Sequence, residues 1–412
     1  MRRKRGEDLS VDFLHGRREL TGADEPDPRV RYHVVHDRKA NRRARRGREA
    51  PFGMLGAMAI PWNVEDFEAL ARENLTQMAY DYYAGGAEDE ITLRENREAF
   101  RRRFLKYRVL VDVSERDMST TLLGERLPFP VILAPTSMHK LAHPEGELET
   151  ARAAASLGAL MTLSSISTQT MEDVAAAAPG SPRWFQLYCY SDRSVTEMLV
   201  KRAYAAGYTA LVVTVDVPLL GRRERDFRNV FMLPEGVTFA NFAVAAAAPG
   251  DQGSALTNWV STLQTPTLNW DDIAWLRSLA PMPMFLKGVV RADDARHAAD
   301  LGVEGIWVSN HGGRQLDTAI ASLDALPEIA AAVGDRTTIV VDGGVRRGTD
   351  VLKALALGAH AVAVGRPQLW GLAADGSNGV RRVLEMLRDE LSLAMALSGS
   401  RSIGEITPDL LA

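Results

Sequence analysis

Short apolar runs, rich in β-branched residues, recur along the chain, and each is followed by a stretch whose apolar residues fall at helical spacing. The runs are VILAPT (131–136), LMTLSS (160–165), RWFQLY (183–188), ALVVTVD (210–216), MFLKG (284–288), GIWVSN (305–310), TIVVDGG (338–344) and AVAVGRP (361–367). Between them lie helical patterns such as ELETARAAASLG, SVTEMLVKRAYAAG, WDDIAWLRSLA and ADDARHAADLG. Strands apolar on both faces and separated by helices belong to a parallel sheet covered by helices. Eight such units, spaced mostly by roughly 20 to 30 residues, predict an α/β protein with a closed (β/α)8 barrel. The alternative, an open doubly wound sheet, more often has five or six strands.

Two segments depart from this rhythm. Ahead of the barrel, WNVEDFEALARENLTQMAYDYYAGGAEDE predicts an N-terminal helix capped by Asn63 and stopped by Gly85 and Gly86. A polar, Arg-rich connector around 94–108 then leads into the first strand. After the fourth strand, residues 217–268 form a long Gly/Ala/Thr-rich insertion, which reads as a cover over the barrel mouth or as a segment without fixed structure.

Composition adds a boundary at the N-terminus. Residues 1–50 hold 15 Lys and Arg against 9 Asp and Glu, whereas the whole chain has a net charge of −4. The basic head lacks an apolar signal core, and its acids are atypical of a transit peptide. Residues 1–57 therefore read as an extension, or as sequence ahead of a later start at Met54 or Met58, and 58–412 as the barrel. The bulk charge points to neither nucleic acid nor polyanion as a partner. Cys189 stands alone, which excludes an intrachain disulfide and a multi-cysteine zinc site and fits a reducing cytoplasm. No run of about 18 apolar residues occurs, so no membrane span is expected.

In a barrel, reactive groups gather where the strands end. Here those ends carry Thr136, Ser137, Ser164, Gln186, Tyr188, Thr214, Asp216, Lys287, Ser309, His311, Arg314, Asp342, Arg346 and Arg366. Charged groups converging beside a packed core are costly and mark a site. The seventh and eighth strands end in DGGVRRG and GRP, matching the phosphate site that barrels build there, with Gly344 and Gly365 for close backbone approach and Arg346 and Arg366 for forked positive charge. Among eight histidines, His15, His33 and His36 lie in the basic head, and His297 and His360 belong to helices or their ends. His139 and His143 follow the first strand. His311, in SNHGGRQLD beside Arg314, is the candidate base, with Asp216 placed to orient it. Lys287 is open to two uses, Schiff-base formation or stabilisation of negative charge on a bound ring. No paired-histidine metal spacing appears.

These residues sit in YDYYAGGAEDE, HPEGE, FQLY, TVDVPLLGRRERD, LKG, SNHGGRQLD, DGGVRRGTDV and GRP, and with them the chain resembles the FMN-dependent 2-hydroxy acid oxidases and dehydrogenases, which act on glycolate, lactate or mandelate. The resemblance runs from about Val64 to Ile406. It implies FMN as cofactor and oxidation of an L-2-hydroxy acid to the 2-oxo acid, with O2 giving H2O2, or a quinone or other acceptor, taking the electrons. By the same resemblance His311 is the base and Asp216 its partner. Arg223, Arg314 and Tyr82 bind the substrate carboxylate, and Tyr188 contacts its hydroxyl. Lys287 lies at the flavin ring, which resolves its role towards electrostatics. Thr136, Ser137, Ser164, Gln186 and Thr214 hold the ring, Ser309 and Asp342 the ribityl chain, and Gly344, Arg346, Gly365 and Arg366 the phosphate. A homo-oligomer, tetramer or octamer, is implied as well. Ile166 stands where glycolate-preferring members carry tryptophan, which implies a lactate-like, longer aliphatic or aryl substrate. Ser137 stands where alanine or glycine is common.

Overall fold

The computed structural model describes residues 60–242 and 265–412. The expected extension, 1–57, lies outside the described residues, as does 243–264 of the long insertion. Eight strands close a parallel barrel in the order β10-β3-β4-β5-β6-β7-β8-β9. They are β3 (Val131–Leu133), β4 (Met161–Ser164), β5 (Arg183–Leu187), β6 (Leu211–Thr214), β7 (Met284–Val289), β8 (Gly305–Val308), β9 (Thr338–Asp342) and β10 (Ala361–Val364). Most stop one to three residues before the apolar runs do, so Asp216, His311 and Gly344 sit in loops beyond the strand ends, and Arg366 opens the helix that follows the last strand.

Alternation along the strands divides the core into two layers. One set of side chains, including Leu133, Leu163, Phe185, Val213, Leu286 and Val341, packs outwards on the helices. The other, Ile132, Trp184, Val212, Phe285, Trp307 and Val340, fills the barrel interior. A hairpin of β1 (Thr120–Leu122) and β2 (Glu125–Leu127) adds Leu122 and Leu127 to that interior layer. Two residues further along four of the inward faces the chemistry changes from apolar to polar: Trp184 gives way to Gln186, Val212 to Thr214, Phe285 to Lys287 and Val340 to Asp342.

The surrounding helices include α4 (Glu147–Ser156), α5 (Met171–Ala177), α6 (Arg193–Ala205), α8 (Trp270–Leu279), α9 (Ala292–Asp300), α10 (Ser322–Val333), α11 (Gly348–Ala356) and α12 (Arg366–Ser398). The expected N-terminal helix is two: α1 (Val64–Asn74), with its capping box at Asn63, and α2 (Gln77–Ala84). Thr76 breaks them because its hydroxyl accepts from the Ala79 amide and starts a new helix. The expected connector is largely helix α3 (Ile91–Arg101). Its first amides are capped from a distance, Ile91 N and Thr92 N donating to Asp317 at 3.2 and 2.8 Å. The start of the insertion holds a short helix, α7 (Glu224–Arg228). No helix among the described residues is long and apolar enough to cross a membrane.

Candidate active site

The polar ends of the inward faces form a hydrogen-bonded floor. Ser164 Oγ donates to Gln186 Oε1 (3.0 Å) and Gln186 Nε2 to Thr214 Oγ1 (3.0 Å), so the side chains of β4, β5 and β6 are linked. On the adjoining strands β7 to β9 Lys287 Nζ donates to Ser309 Oγ (3.2 Å) and lies 3.5 Å from Asp342 Oδ2. Ser309 Oγ donates to Asp342 Oδ1 (2.7 Å), and Trp307 Nε1 donates to Oδ2 (2.9 Å). Lys287 is only 4% exposed, so its charge is fixed in direction by these partners.

Above this floor His311 and Asp216 meet, Nδ1 to Oδ1 at 2.9 Å. They come from the loops after β8 and β6, which are separated in the barrel by β7. The contact passes over Gly288, where a Cβ would fall 2.5 Å from Asp216 Cβ. Only glycine leaves room there, and its φ of +110° is another reason for it. His311 itself has φ +58°, and Gly312 and Gly313 follow at +65° and +75°. Such a run turns the chain sharply, and a non-glycine residue there is strained. Burial lowers the His311 pKa against the opposing pull of Asp216. Burial alone would raise the Asp216 carboxyl, but His311 and Lys287 outweigh it and the net shift is downwards. A neutral imidazole hydrogen-bonded to a carboxylate, with its other nitrogen uncommitted in that bond, is a base poised to become an imidazolium.

Two guanidiniums line the same cleft. Arg223 is 5% exposed and donates to Arg314 O and Gln315 Oε1. Arg314 donates to Tyr82 O (2.6 Å) and Gly85 O (3.0 Å) and lies over the Tyr82 ring at 5.0 Å. Among the described residues neither makes an ion pair within 4 Å, and the nearest acidic influence on both is the buried Asp226 carboxylate, whose pKa burial raises and they pull down. Burial, and then the like charge of Arg314, bring the Arg223 pKa to about 10. Tyr82 OH and Ser137 Oγ are 2.5 Å apart. Tyr188 lines the cleft too, its phenol held protonated by burial and by Asp216. Ile166, Val217 and Leu220 give an apolar wall.

The cleft extends to the ends of β9 and β10. There Gly343 and Gly344 have φ +96° and +92°, and a Cβ on Gly344 would fall 2.1 Å from Asn96 O. Arg346 lines this end with Nε sealed from solvent and without a hydrogen-bond partner. Its guanidinium donates to Val345 O, and burial brings its pKa to about 10. Arg366 departs from the sequence expectation. Its guanidinium donates to Tyr83 O, Gly312 O and Gly85 O at 2.9 to 3.0 Å, bracing α2 against the β8 loop, so its fork is used on carbonyls.

A family model described as FMN-dependent dehydrogenase matches residues 71–412. The chain belongs to that family. It is 52% identical over 365 residues to the L-lactate oxidase of Nostoc sp., covering 87% of this chain and 100% of that protein. It is 53% identical to glycolate oxidase 3 of Arabidopsis thaliana, covering 84% and 94%. A crystal structure of mandelate oxidase with (S)-4-hydroxymandelic acid superposes with a TM-score of 0.82 at 44% identity, covering 85% of this chain and 98% of that one. As a member of the family the chain is an FMN-dependent oxidoreductase of the 2-hydroxy acid oxidase class, acting on CH–OH. The donor set fits FMN: a solvent-sealed arginine nitrogen without a partner beside left-handed glycines suits a phosphate, and the Ser164–Gln186–Thr214 row suits a planar polar ring.

Several hydrogen bonds that brace the site were not marked by the sequence. Gln368 Nε2 donates to Ala134 O (2.7 Å) and Thr136 Oγ1 (2.9 Å), and Thr136 Oγ1 lies 2.6 Å from His139 Nε2. His139 is buried, which depresses its pKa, and its Nδ1 meets Thr150 Oγ1 at 2.9 Å. Asn96 and Asn310 exchange amide bonds at 2.9 and 2.8 Å, tying α3 to the β8 loop. Polar side chains on separate elements carry no local pattern that marks such pairs.

Proposed function

We propose that the enzyme oxidises an L-2-hydroxy acid larger than glycolate, lactate or a longer aliphatic or aryl acid, to the 2-oxo acid, with O2 as acceptor and H2O2 as product. One observation carries the reading: Arg223 and Arg314, neither of them ion-paired within 4 Å among the described residues and with the Asp226 carboxylate acting on both only from further away, face the cleft that holds His311. Mutually repelling cations in a buried site call for a carboxylate ligand. Ile166 then bounds the space for the substrate side chain, and an isoleucine leaves room for an alkyl or aryl group. The relatives named for lactate and mandelate support the larger substrates, and their names support O2 as acceptor.

In this reading Arg223 and Arg314 clamp the carboxylate, Tyr82 adds a hydrogen bond to it, and Tyr188 contacts the hydroxyl. His311 Nε2 takes the substrate proton, and Asp216 stabilises the imidazolium that results. FMN, when bound, would take up the two electrons and the second hydrogen that the substrate loses. Thr136, Ser137, Ser164, Gln186 and Thr214 would hold its ring, with the Lys287 cation countering negative charge there. Asp342 and Ser309 would lie along the ribityl chain. Arg346, Gly344, Gly365 and the backbone amide of Arg366 would take the phosphate.

The test is an anaerobic screen. Purified protein should be yellow, and lactate, 2-hydroxyisocaproate or mandelate should bleach it faster than glycolate, with colour returning when oxygen is admitted. Protein that no 2-hydroxy acid bleaches would refute the reading. Recovery of colour only with a quinone would reassign the acceptor. The same proposal makes the enzyme a cytoplasmic homo-oligomer, tetramer or octamer, supported by the exposed apolar group Phe104, Tyr107, Val109 and Leu110. Light scattering reads the mass. Residues 1–57 are proposed as dispensable, so a chain starting at Met58 should keep flavin and turnover.

A further inference from the structure

The base and its carboxylate partner belong to loops that no strand pairing joins. β6 and β8 each pair with β7, and neither pairs with the other. The contact between Asp216 and His311 therefore spans a gap of one strand, over the bare Gly288. Sheet hydrogen bonds cannot set its geometry.

Besides Arg223, whose Nε reaches from the β6 loop to Arg314 O at 3.2 Å, one side chain of the β8 loop bridges that gap. Gln315 Nε2 donates to Asp216 O and to Leu219 O, each at 2.9 Å. Gln315 Oε1 accepts from Gly221 N at 3.0 Å and from Arg223 Nη2 at 3.4 Å. Two carbonyls face one end of the amide and two donors face the other, so the amide has one orientation that satisfies all four contacts. The loops are close enough for this because Gly221 has no side chain: a Cβ there would fall 2.4 Å from Arg314 O and 2.6 Å from Gln315 Cα. Gln315 follows Arg314 directly, so its hold on the β6 loop links one loop bearing His311 and Arg314 to another bearing Asp216 and Arg223.

We propose that Gln315 is the positioning residue that sets the β6 loop against the β8 loop, fixing Asp216 on His311 and Arg223 beside Arg314. It touches neither base nor substrate. Its amide fixes the main chain on both sides of the long reach from Asp216 to Arg223, one end through Asp216 O and the other through Gly221 N. The inference rests on the 2-hydroxy acid reading of the site.

The experiment compares wild type, Gln315→Leu, Asp216→Asn and the double variant as FMN-loaded full-length proteins. FMN content and melting temperature are measured first, and Gln315→Met replaces the leucine variant if that one loses flavin. In Gln315→Leu, anaerobic flavin reduction at saturating substrate should slow by about 30- to 100-fold, since a displacement of about 1 Å at a reacting group costs about 100-fold. Pyruvate, a 2-oxo acid probe, should bind by calorimetry about three- to tenfold more weakly, because Arg223 shifts with the loop. In the Asp216→Asn background the same leucine change should cost less than about threefold further in reduction rate, since residues acting on one element are not additive. A general loss of packing would instead multiply in both backgrounds, and that result overturns the proposal. So does a Gln315→Leu protein reduced at the wild-type rate while wild type is bleached normally. Wild-type protein that no 2-hydroxy acid bleaches overturns the functional reading and this inference with it.

Discussion

Replacing Asp216 by Asn isolates the charge behind His311. The asparagine keeps the size and one acceptor oxygen for Nδ1–H, so tautomer and ring position are conserved, and only the negative charge is removed. The side chains are 18% and 12% exposed, which limits solvent screening of the pair. Unit charges 4 Å apart interact by about 4 kcal/mol at an effective dielectric near 20. That attraction exists only once the imidazole is protonated, so it stabilises the transition state over the ground state, and its full loss would slow the step by about a thousandfold. The amide dipole retains part of it, and about 100-fold is expected for flavin reduction followed by anaerobic stopped-flow. The pH profile gives a second signature. Asp216 opposes the downward pull of burial on His311, so its removal lowers the imidazole pKa further and moves the acid limb of kcat/KM to lower pH. A variant within tenfold of wild type, with its acid limb unmoved, would refute the claim that Asp216 supplies charge.

The other predictions follow from the same geometry. His311→Gln should abolish flavin reduction while FMN stays bound, read by the visible spectrum; reduction at the wild-type rate would remove His311 as base. Arg346→Leu should weaken FMN about 10- to 100-fold, the worth of a charge-assisted hydrogen bond of about 1.5 to 3 kcal/mol, measured as dissociation on dilution. Ile166→Trp should lower kcat/KM for mandelate relative to glycolate by about tenfold or more, because a filled pocket rejects the larger side chain, and an unchanged ratio would move the specificity wall elsewhere.

The barrel was legible because its signal is local. Each strand is a short run apolar on both faces, and the residue two beyond the inward apolar side chain carries the chemistry, as Phe285 is followed by Lys287. The separation of α1 from α2 was less legible because the apolar spacing continues through Leu75 while Thr76 alone restarts the helix. Helix α3 was missed because its buried face, Thr92, Asn96, Ala99 and Phe100, is half polar, and its cap, Asp317, lies on a distant loop. His311, Asp216 and Arg223 were nameable from position and resemblance. Their supports were not, since Gln315, Gln368 and Asn96 act through partners tens to hundreds of residues away. Arg366 shows the limit from the other side: a forked cation next to a phosphate motif is equally a forked donor for three carbonyls, and only the folded backbone shows which use is made.

The buried cations also bear on stability. Arg346 and Arg223 are held near a pKa of about 10 chiefly by burial, so the folded protein bears a desolvation cost that the unfolded chain does not. An anion that binds only the folded state offsets that cost at the Arg346 end of the cleft. With FMN at a hundred times its Kd the gain is about 2.7 kcal/mol. For a body of this size, with an unfolding entropy of about 2.1 cal/mol/K per residue, that is about 4 °C in Tm. Removing FMN should therefore lower Tm by about 4 °C or more, and inorganic phosphate at millimolar concentration should restore part of the loss, because it can occupy the Arg346 end without filling the ring site. In Arg346→Leu the phosphate effect should vanish while the apoprotein is no less stable than wild-type apoprotein. Phosphate stabilising both apoproteins equally would show that the anion acts elsewhere and that the solvent-sealed Nε of Arg346 is not waiting for it.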